Sequence, residues 1–178
     1  ERIGADGETI TALDTTHARE ALSRAYGKGY RSVAIALIHS YRFPDHEQKL
    51  GQMAEQSGFT QVSLSHESSP LIKIVSRGDT AVVDAYLSPI LGRYVKQVAD
   101  ALGTSKGGCE RLMFMRSNGG LTDATLFEGC DAILSGPAGG VVGMVRTAAE
   151  LGYDKLIGFD MGGTSTDVCH YAGEFERS

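Results

Sequence analysis

The apolar and polar positions of this chain change period several times, and each change marks an element. Glu8 to Ala12 is a short strand candidate. Thr15 or Thr16 is placed to cap a helix carrying Ala18, Ala21, Leu22 and Ala25, which Gly27 and Gly29 end. Arg31 to His39 then runs apolar, Val-Ala-Ile-Ala-Leu-Ile, as a strand covered on both faces does. Phe43-Pro44-Asp45-His46-Glu47 opens a second helix with an acidic first turn, ending near Gly58, and Gln61 to His66 gives another short strand. Strand–helix–strand is the unit of a parallel or mixed sheet.

A longer period follows. From about Asp79 to Leu102, apolar residues recur at Val83, Leu87, Leu91, Tyr94, Val98 and Leu102, the spacing of one helical face. Pro89 is expected to kink or restart that helix, because it removes a donor and clashes one turn back. Thr104 to Gly108 reads as a small linker and Arg111 to Met115 as a strand. Ser117-Asn118-Gly119-Gly120 is a turn by composition, leading either to a cleft or simply into a helix at Thr122 or Asp123. Ala132 to Leu134 predicts a short strand, Ser135 to Gly143 a glycine loop, and the residues to about Leu151 a helix.

Lys155 to Tyr171 closes the pattern. Leu156-Ile157-Gly158-Phe159 and Val168-Cys169-His170-Tyr171 read as two strands around a tight hairpin turn. The fold class is therefore α/β, with mixed sheets flanked by helices and a long helix bridging two halves; there is no repeat of fixed period.

Composition narrows the function classes. A net charge of −5 argues against a nucleic-acid surface, which needs a basic patch. Cys109, Cys130 and Cys169 are odd in number, widely spaced and without a Cys-x-x-Cys pair, which argues against a disulfide scaffold or zinc site and fits a reducing cytoplasmic setting. Apolar runs such as Val33 to Ile38 are too short for a membrane span. The start at Glu1, without methionine, gives the expectation of a piece of something longer.

The hairpin turn carries the chemistry. Gly162 and Gly163 permit positive φ and remove the Cβ atoms that would block a ligand. Successive N–H groups can then face one concavity, as an anion-binding nest requires, and Thr164, Ser165 and Thr166 add hydroxyl donors. Asp160 and Asp167 bracket the loop, and bare carboxylates repel phosphate. They make sense with Mg²⁺ or its bound water between carboxylate and phosphate. A polar-tipped hairpin with no ligand is the plainer alternative.

Ser135 to Gly143 is a second anion-site candidate, with Gly136, Gly139 and Gly140 between a strand and a helix N-terminus. It also opens a rival reading. Ala138-x-Gly140-x-x-Gly143 is a degenerate dinucleotide fingerprint, and Asp160 lies at the end of the next strand, where it would accept a ribose hydroxyl. Alanine in place of the first glycine, and the hydroxyl-rich hairpin after Asp160, count against it. A Walker loop is excluded because no Gly-Lys-Ser or Gly-Lys-Thr occurs. His17, His39, His46, His66 and His170 show no metal-like spacing, and His66-Glu67-Ser68-Ser69 is not a triad merely by adjacency. Arg77 and Asp79 read as an ordinary capping and charge pair.

Asp160-Met-Gly-Gly-Thr-Ser-Thr-Asp167 resembles the second phosphate motif of the actin-like ATPase fold, shared by sugar kinases and heat-shock chaperones. Together with Met115-Arg-Ser-Asn-Gly-Gly-Leu121 and Leu134-Ser-Gly-Pro-Ala-Gly-Gly-Val-Val-Gly143, it resembles the hydantoinase/oxoprolinase family. Ile72 to Gly78, Val83 to Pro89 and Tyr171 to Phe175 look most like the branch that opens 5-oxo-L-proline at the expense of ATP.

The resemblance covers nearly the whole chain. It implies an actin-like (ribonuclease H-like) ATPase fold, with residues 1–68 ending an N-terminal α/β region and 69–178 beginning a second subdomain. It further implies ATP, Mg²⁺ and a monovalent cation such as K⁺ as cofactors, a cyclic amide substrate, and a homo-oligomeric parent. On this footing Asp160 orients the metal, Gly162, Gly163, Thr164 and Ser165 cradle phosphates, and Asp167 braces the hairpin. Gly136, Gly139 and Gly140 face the cleft, and Ser117, Asn118 and Gly119 are substrate candidates. N-methylhydantoin amidohydrolases and acetone carboxylases would share the hairpin. The family's earlier Gly-Gly-Thr phosphate loop is missing from this sequence, so the chain alone is expected to be inactive. A dinucleotide-binding module and a non-catalytic packing piece remain as other classes.

Overall fold

The computed structural model describes residues 1–103 and 108–175, so the linker expected at Thr104 to Gly108 lies, but for Gly108, outside the described residues. The chain divides into two compact units, Glu1–Gln97 with Glu128–Cys130, and Val98–Phe127 with Asp131–Ser178. Each is α/β.

The first unit opens with a small antiparallel pair, β1 (Arg2–Ile3) and β2 (Thr9–Thr11). Helix α1 (Thr15–Gly27) is capped one residue earlier than its threonines suggest: Asp14 Oδ1 accepts the His17 N–H at 2.9 Å. Strand β3 (Ser32–Ile35) crosses through α2 (Asp45–Gln56) to β4 (Gln61–Leu64), and the two strands pair in parallel from Ser32↔Gln61 to Ile35↔Leu64. Ile35, Met53, Ala54, Phe59, Leu64, Ala81 and Ala85 form the buried apolar core. One short turn, α3 (Ser65–Ser68), leads toward α4 (Ile74–Ala101).

Two expectations change here. The strand foreseen to His39 stops at Ile35, because side chains take over the next backbone groups: the Leu37 N–H donates to Glu47 Oε1 (2.7 Å), and the Leu37 and Ile38 carbonyls accept from Arg77. Helix α4 begins earlier than foreseen and continues through Pro89 as one element. Asp84 and Ser88, just before that proline, are tied by hydrogen bonds to each other and to Ser63, Gly129 and Cys130. Such tertiary ties override a local preference.

Arg77 is not a surface capping residue. It is fully buried, as is Glu47, and their closest charged atoms lie 3.7 Å apart. The Arg77 guanidinium also donates to the Leu71 carbonyl and to the hydroxyls of Ser40 and Ser65. A buried ion pair holds together only when its remaining donors and acceptors are occupied, and no buried side-chain N or O among the described residues is left without a partner.

In the second unit, β5 (Met113–Met115) and β6 (Leu121–Asp123) make an antiparallel pair around the Ser117–Gly120 turn, where Gly119 takes φ +80°. That turn leads into a strand and not into a helix at Thr122 or Asp123. One 3-10 turn (Ala124–Leu126) and α5 (Gly129–Ala132) follow. The strand expected at Ala132 to Leu134 is absent, and the glycine segment from Ser135 is not a loop but the first turns of α6 (Ser135–Glu150). Pro137 fits there because first-turn N–H groups have no partner inside the helix anyway. Strands β7 (Lys155–Met161) and β8 (Thr166–Ala172) finish the unit, with α6 packed on β5, β7 and β8.

Candidate functional site

The closing hairpin pairs in register from Lys155↔Ala172 to Met161↔Thr166. Its period-2 alternation decides which residues face α6. Gly158 packs there, since a Cβ on it would meet Met144 Sδ at 2.6 Å. Asp160 shares that face: a Cβ on Gly140 of α6 would stand 3.4 Å from Asp160 Oδ2. Ile157, Phe159, Met161 and Val168 are exposed.

Asp160 and Asp167 are direct cross-strand partners. Both are exposed, and like charges directly opposite each other weaken a strand pair by a few tenths of a kcal/mol to about 1 kcal/mol. Neither carboxylate has an ion pair or hydrogen bond among the described residues, so no described side chain offsets that repulsion. The donor set suits a hard divalent cation, which takes carboxylate oxygens and keeps other positions for water or phosphate.

The tip differs from the expectation in one respect. Neither Gly162 nor Gly163 adopts positive φ. The Gly162 N–H donates to the Ser165 carbonyl at 2.9 Å, closing the loop. A Cβ on Gly163 would meet nothing within 4 Å, so no described atom demands glycine there. The N–H groups of Gly163, Thr164 and Ser165 and both hydroxyls make no hydrogen bond among the described residues.

Around the N-terminal half of α6 the structure gathers several residues singled out in the sequence. Gly140 lies against Asp160, Gly139 against Met115, and Gly119 against Val142, whose Cγ2 would be 3.1 Å from an added Cβ. The helix has no side-chain cap at Leu134, which leaves the Ser135 and Gly136 N–H groups at its positive end. Gly136 contacts none of the other candidates through the Cβ direction, and the tip residues Gly162 to Ser165 do not reach this cluster by any recorded hydrogen bond.

Ser117 and Asn118, read as substrate candidates, are occupied in holding the backbone. Ser117 Oγ donates to the Asp131 carbonyl (2.6 Å) and accepts the Leu134 N–H (3.1 Å). Asn118 Oδ1 accepts the Gly120 N–H, and Arg116 Nε donates to Asp131 Oδ1 at 2.7 Å. These bonds fix the entry into α6.

Two groupings in the first unit escaped the sequence reading. One is Glu47 with Arg77 and His66; burial alone would raise the Glu47 carboxyl, but hydrogen bonds from Ser65, His66, Ser40 and the Leu37 amide hold it below the ordinary value. The other is Asp84, Glu128 and Cys130, whose ligand atoms lie within 4.8 Å of one another. Asp84 is already an acceptor for Ser63 Oγ, Ser88 Oγ and the Cys130 N–H. Partners far apart in sequence leave no local signal for either.

Residues 77–178 match the family described as Hydantoinase/oxoprolinase, and residues 1–58 match its N-terminal region. The 5-oxoprolinase of Saccharomyces cerevisiae is 46% identical over 176 residues, covering 94% of this chain and 13% of the yeast protein. Among solved structures, the ATP-dependent caprolactamase of Pseudomonas jessenii superposes with a TM-score of 0.81 at 35% identity over 95% of this chain and 25% of its own. Nucleotide-free acetone carboxylase gives a TM-score of 0.88 at 27% identity over 99% of this chain and 26% of its own. The chain thus spans a small part of each relative's length.

Proposed function

The chain belongs to the hydantoinase/oxoprolinase family and has its actin-like ATPase type of α/β fold, and on that premise we propose that it forms part of an ATP-dependent amidohydrolase opening the lactam of 5-oxo-L-proline to L-glutamate. The observation that carries this reading is the opposed pair Asp160 and Asp167, set beside the N-terminal turns of α6 at Gly140. Opposed carboxylates without a partner among the described residues suit a cation-bound phosphate better than a bare anion.

An amide is a poor electrophile, and phosphorylating its oxygen makes that oxygen a leaving group. The protein's share in phosphoryl transfer is positioning and charge stabilisation. Asp160 and Asp167 would hold Mg²⁺, which supplies charge neutralisation between phosphate oxygens when bound. The free N–H groups and hydroxyls of Gly163, Thr164 and Ser165 would donate to phosphate oxygens, with Gly162 giving the room for approach. Gly140 lets the α6 backbone come close to Asp160, and Gly139 lets it come close to Met115, while the Ser135 and Gly136 N–H groups would face an anionic group of nucleotide or substrate. Ser117 would act by fixing the entry into α6, and Asn118 by closing the turn at Gly120.

A monovalent cation, a homo-oligomeric parent, a boundary near residue 68 and a cytoplasmic location belong to the same proposal; no helix among the described residues is long and apolar enough to cross a membrane. The similarity to acetone carboxylase supports a second reading, an ATP-dependent carboxylase subunit. The test uses the full-length polypeptide with Mg·ATP and 5-oxoproline, N-methylhydantoin or acetone. We expect 5-oxoproline-dependent ADP formation, abolished by Asp160→Ala without loss of folding. Wild-type ATP turnover in that variant would sink the assignment, and turnover with acetone alone would transfer it to the carboxylase.

A further inference from the structure

Helix α4 carries apolar residues on two opposite faces. Ala81 and Ala85 are buried in the core of the first unit, on the same side as the buried Arg77 and Asp84. At about 100° per residue, Val75, Val82, Tyr86 and Ile90 fall on the other side, within about 40° of the Tyr86 direction. All four are exposed, Val75 and Tyr86 by 72% each. A helix packed on one face turns polar residues to water on the other, and a helix apolar all round is a buried one. Four large side chains in one line, from Val75 to Ile90, make a seam and not scattered surface residues.

Two charges share this seam. Asp79 and Arg93 are exposed on the same face, and neither makes an ion pair among the described residues. Their placement is symmetric about Tyr86. Asp79 lies seven residues before it and Arg93 seven after, while Val82 lies four before and Ile90 four after. A second α4 laid antiparallel, with a two-fold axis at Tyr86, therefore sets Asp79 against Arg93 twice and Val82 against Ile90 twice. The two Tyr86 rings meet at the axis, where aromatic pairs pack offset or edge to face. A parallel pair in register would instead oppose Asp79 to Asp79 and Arg93 to Arg93. Such self-complementarity is what a contact between identical surfaces requires, and a foreign helix does not call for it.

We propose that the exposed face of α4 is a dimerisation surface, covered by the same face of a second copy in antiparallel orientation. This gives the homo-oligomeric parent proposed above a specific contact; it rests on that part of the reading and not on the lactam chemistry. Tyr and Arg near the centre of a contact carry much of its energy, which makes Tyr86 and Arg93 the anchors.

The test measures the mass of the full-length polypeptide in solution across a concentration series. Asp79→Arg and Arg93→Asp each turn two attractions into two repulsions, and each should weaken self-association about 10- to 100-fold. Mixed in equal amounts, the two variants should reassociate, because every Arg then faces an Asp. That recovery also shows that both chains are folded. Tyr86→Cys, once oxidised, should give a reducible dimer absent from wild type, since residues on the axis meet their own copy within disulfide reach. A monomeric wild type overturns the proposal. So does self-association unmoved by either charge reversal, a mixture that fails to reassociate, or no cross-link at Tyr86→Cys; these are the results expected if another segment of the same polypeptide covers α4. Failure of the lactam reading is seen separately, as a wild-type dimer that makes no glutamate from 5-oxoproline.

Discussion

The two units use carboxylates in opposite ways. In the first, Glu47 is fully buried, faces Arg77, and accepts from Ser65, His66 and Leu37. In the second, Asp160 and Asp167 are exposed, directly opposed, and bonded to nothing among the described residues. The apolar residues follow the same division. The first unit buries seven core side chains named above, whereas Val145 is the single buried hydrophobic residue of the second among those described. Charge satisfied inside the chain holds a scaffold; charge left facing outward, on a strand pair it weakens, points to something bound.

The hardest way to break this contrast is to remove Arg77. Arg77→Ala leaves Glu47 buried and uncompensated, and is expected to cost about 3–5 kcal/mol in urea unfolding followed by a probe in the first unit. A loss below about 1 kcal/mol would show that water compensates the carboxylate and that the pair is not the scaffold described here.

Acid gives a milder perturbation. Because the folded Glu47 titrates below the ordinary carboxylate value, its contribution is present above that ordinary value and is lost as pH falls through the lower folded one. Thermal melts from pH 7 downward should therefore stay flat until the acidic range and then decline, with amide exchange rising first around Leu37 and Ser65. Stability that increased on acidification would reverse the sign and refute the network's role.

The smallest effect is expected at the hairpin. Asp167→Asn removes the like-charge opposition and should slow amide exchange in β7 and β8, equivalent to a gain of a few tenths of a kcal/mol to about 1 kcal/mol. In the full-length enzyme the same variant should weaken Mg²⁺ dependence. Faster exchange would mean that Asp167 braces the strands and does not oppose Asp160.

What could be read in advance divides along the same line. The hairpin was legible because Gly162, Gly163 and the hydroxyls lie next to the alternating runs that flank them, and the register follows from that pattern. The crossover from β3 through α2 to β4 was legible from the apolar run at Val33 and the acidic helix start at Asp45. The first turns of α6 were not, because Ser-Gly-Pro-Ala-Gly-Gly reads as a loop until Ser117 and Asp131 are seen to fix the preceding backbone. Nor was the burial of Arg77, whose acceptors at Leu37, Ser40 and Ser65 belong to other elements. Local pattern reveals local structure, and a buried charge is a property of distant partners.

The Arg77 contacts also set an order of events. The guanidinium donates to the Leu37 carbonyl across 40 positions of sequence, whereas β7 and β8 are joined by the short Gly162–Ser165 turn. Closing the larger loop costs more chain entropy, and hairpins form in about 1–10 μs. A chain refolding from denaturant would thus form the β7–β8 hairpin early, while Glu47 stays hydrated until Arg77 arrives. A variant that spares the native state can still delay the dehydration of that ion pair.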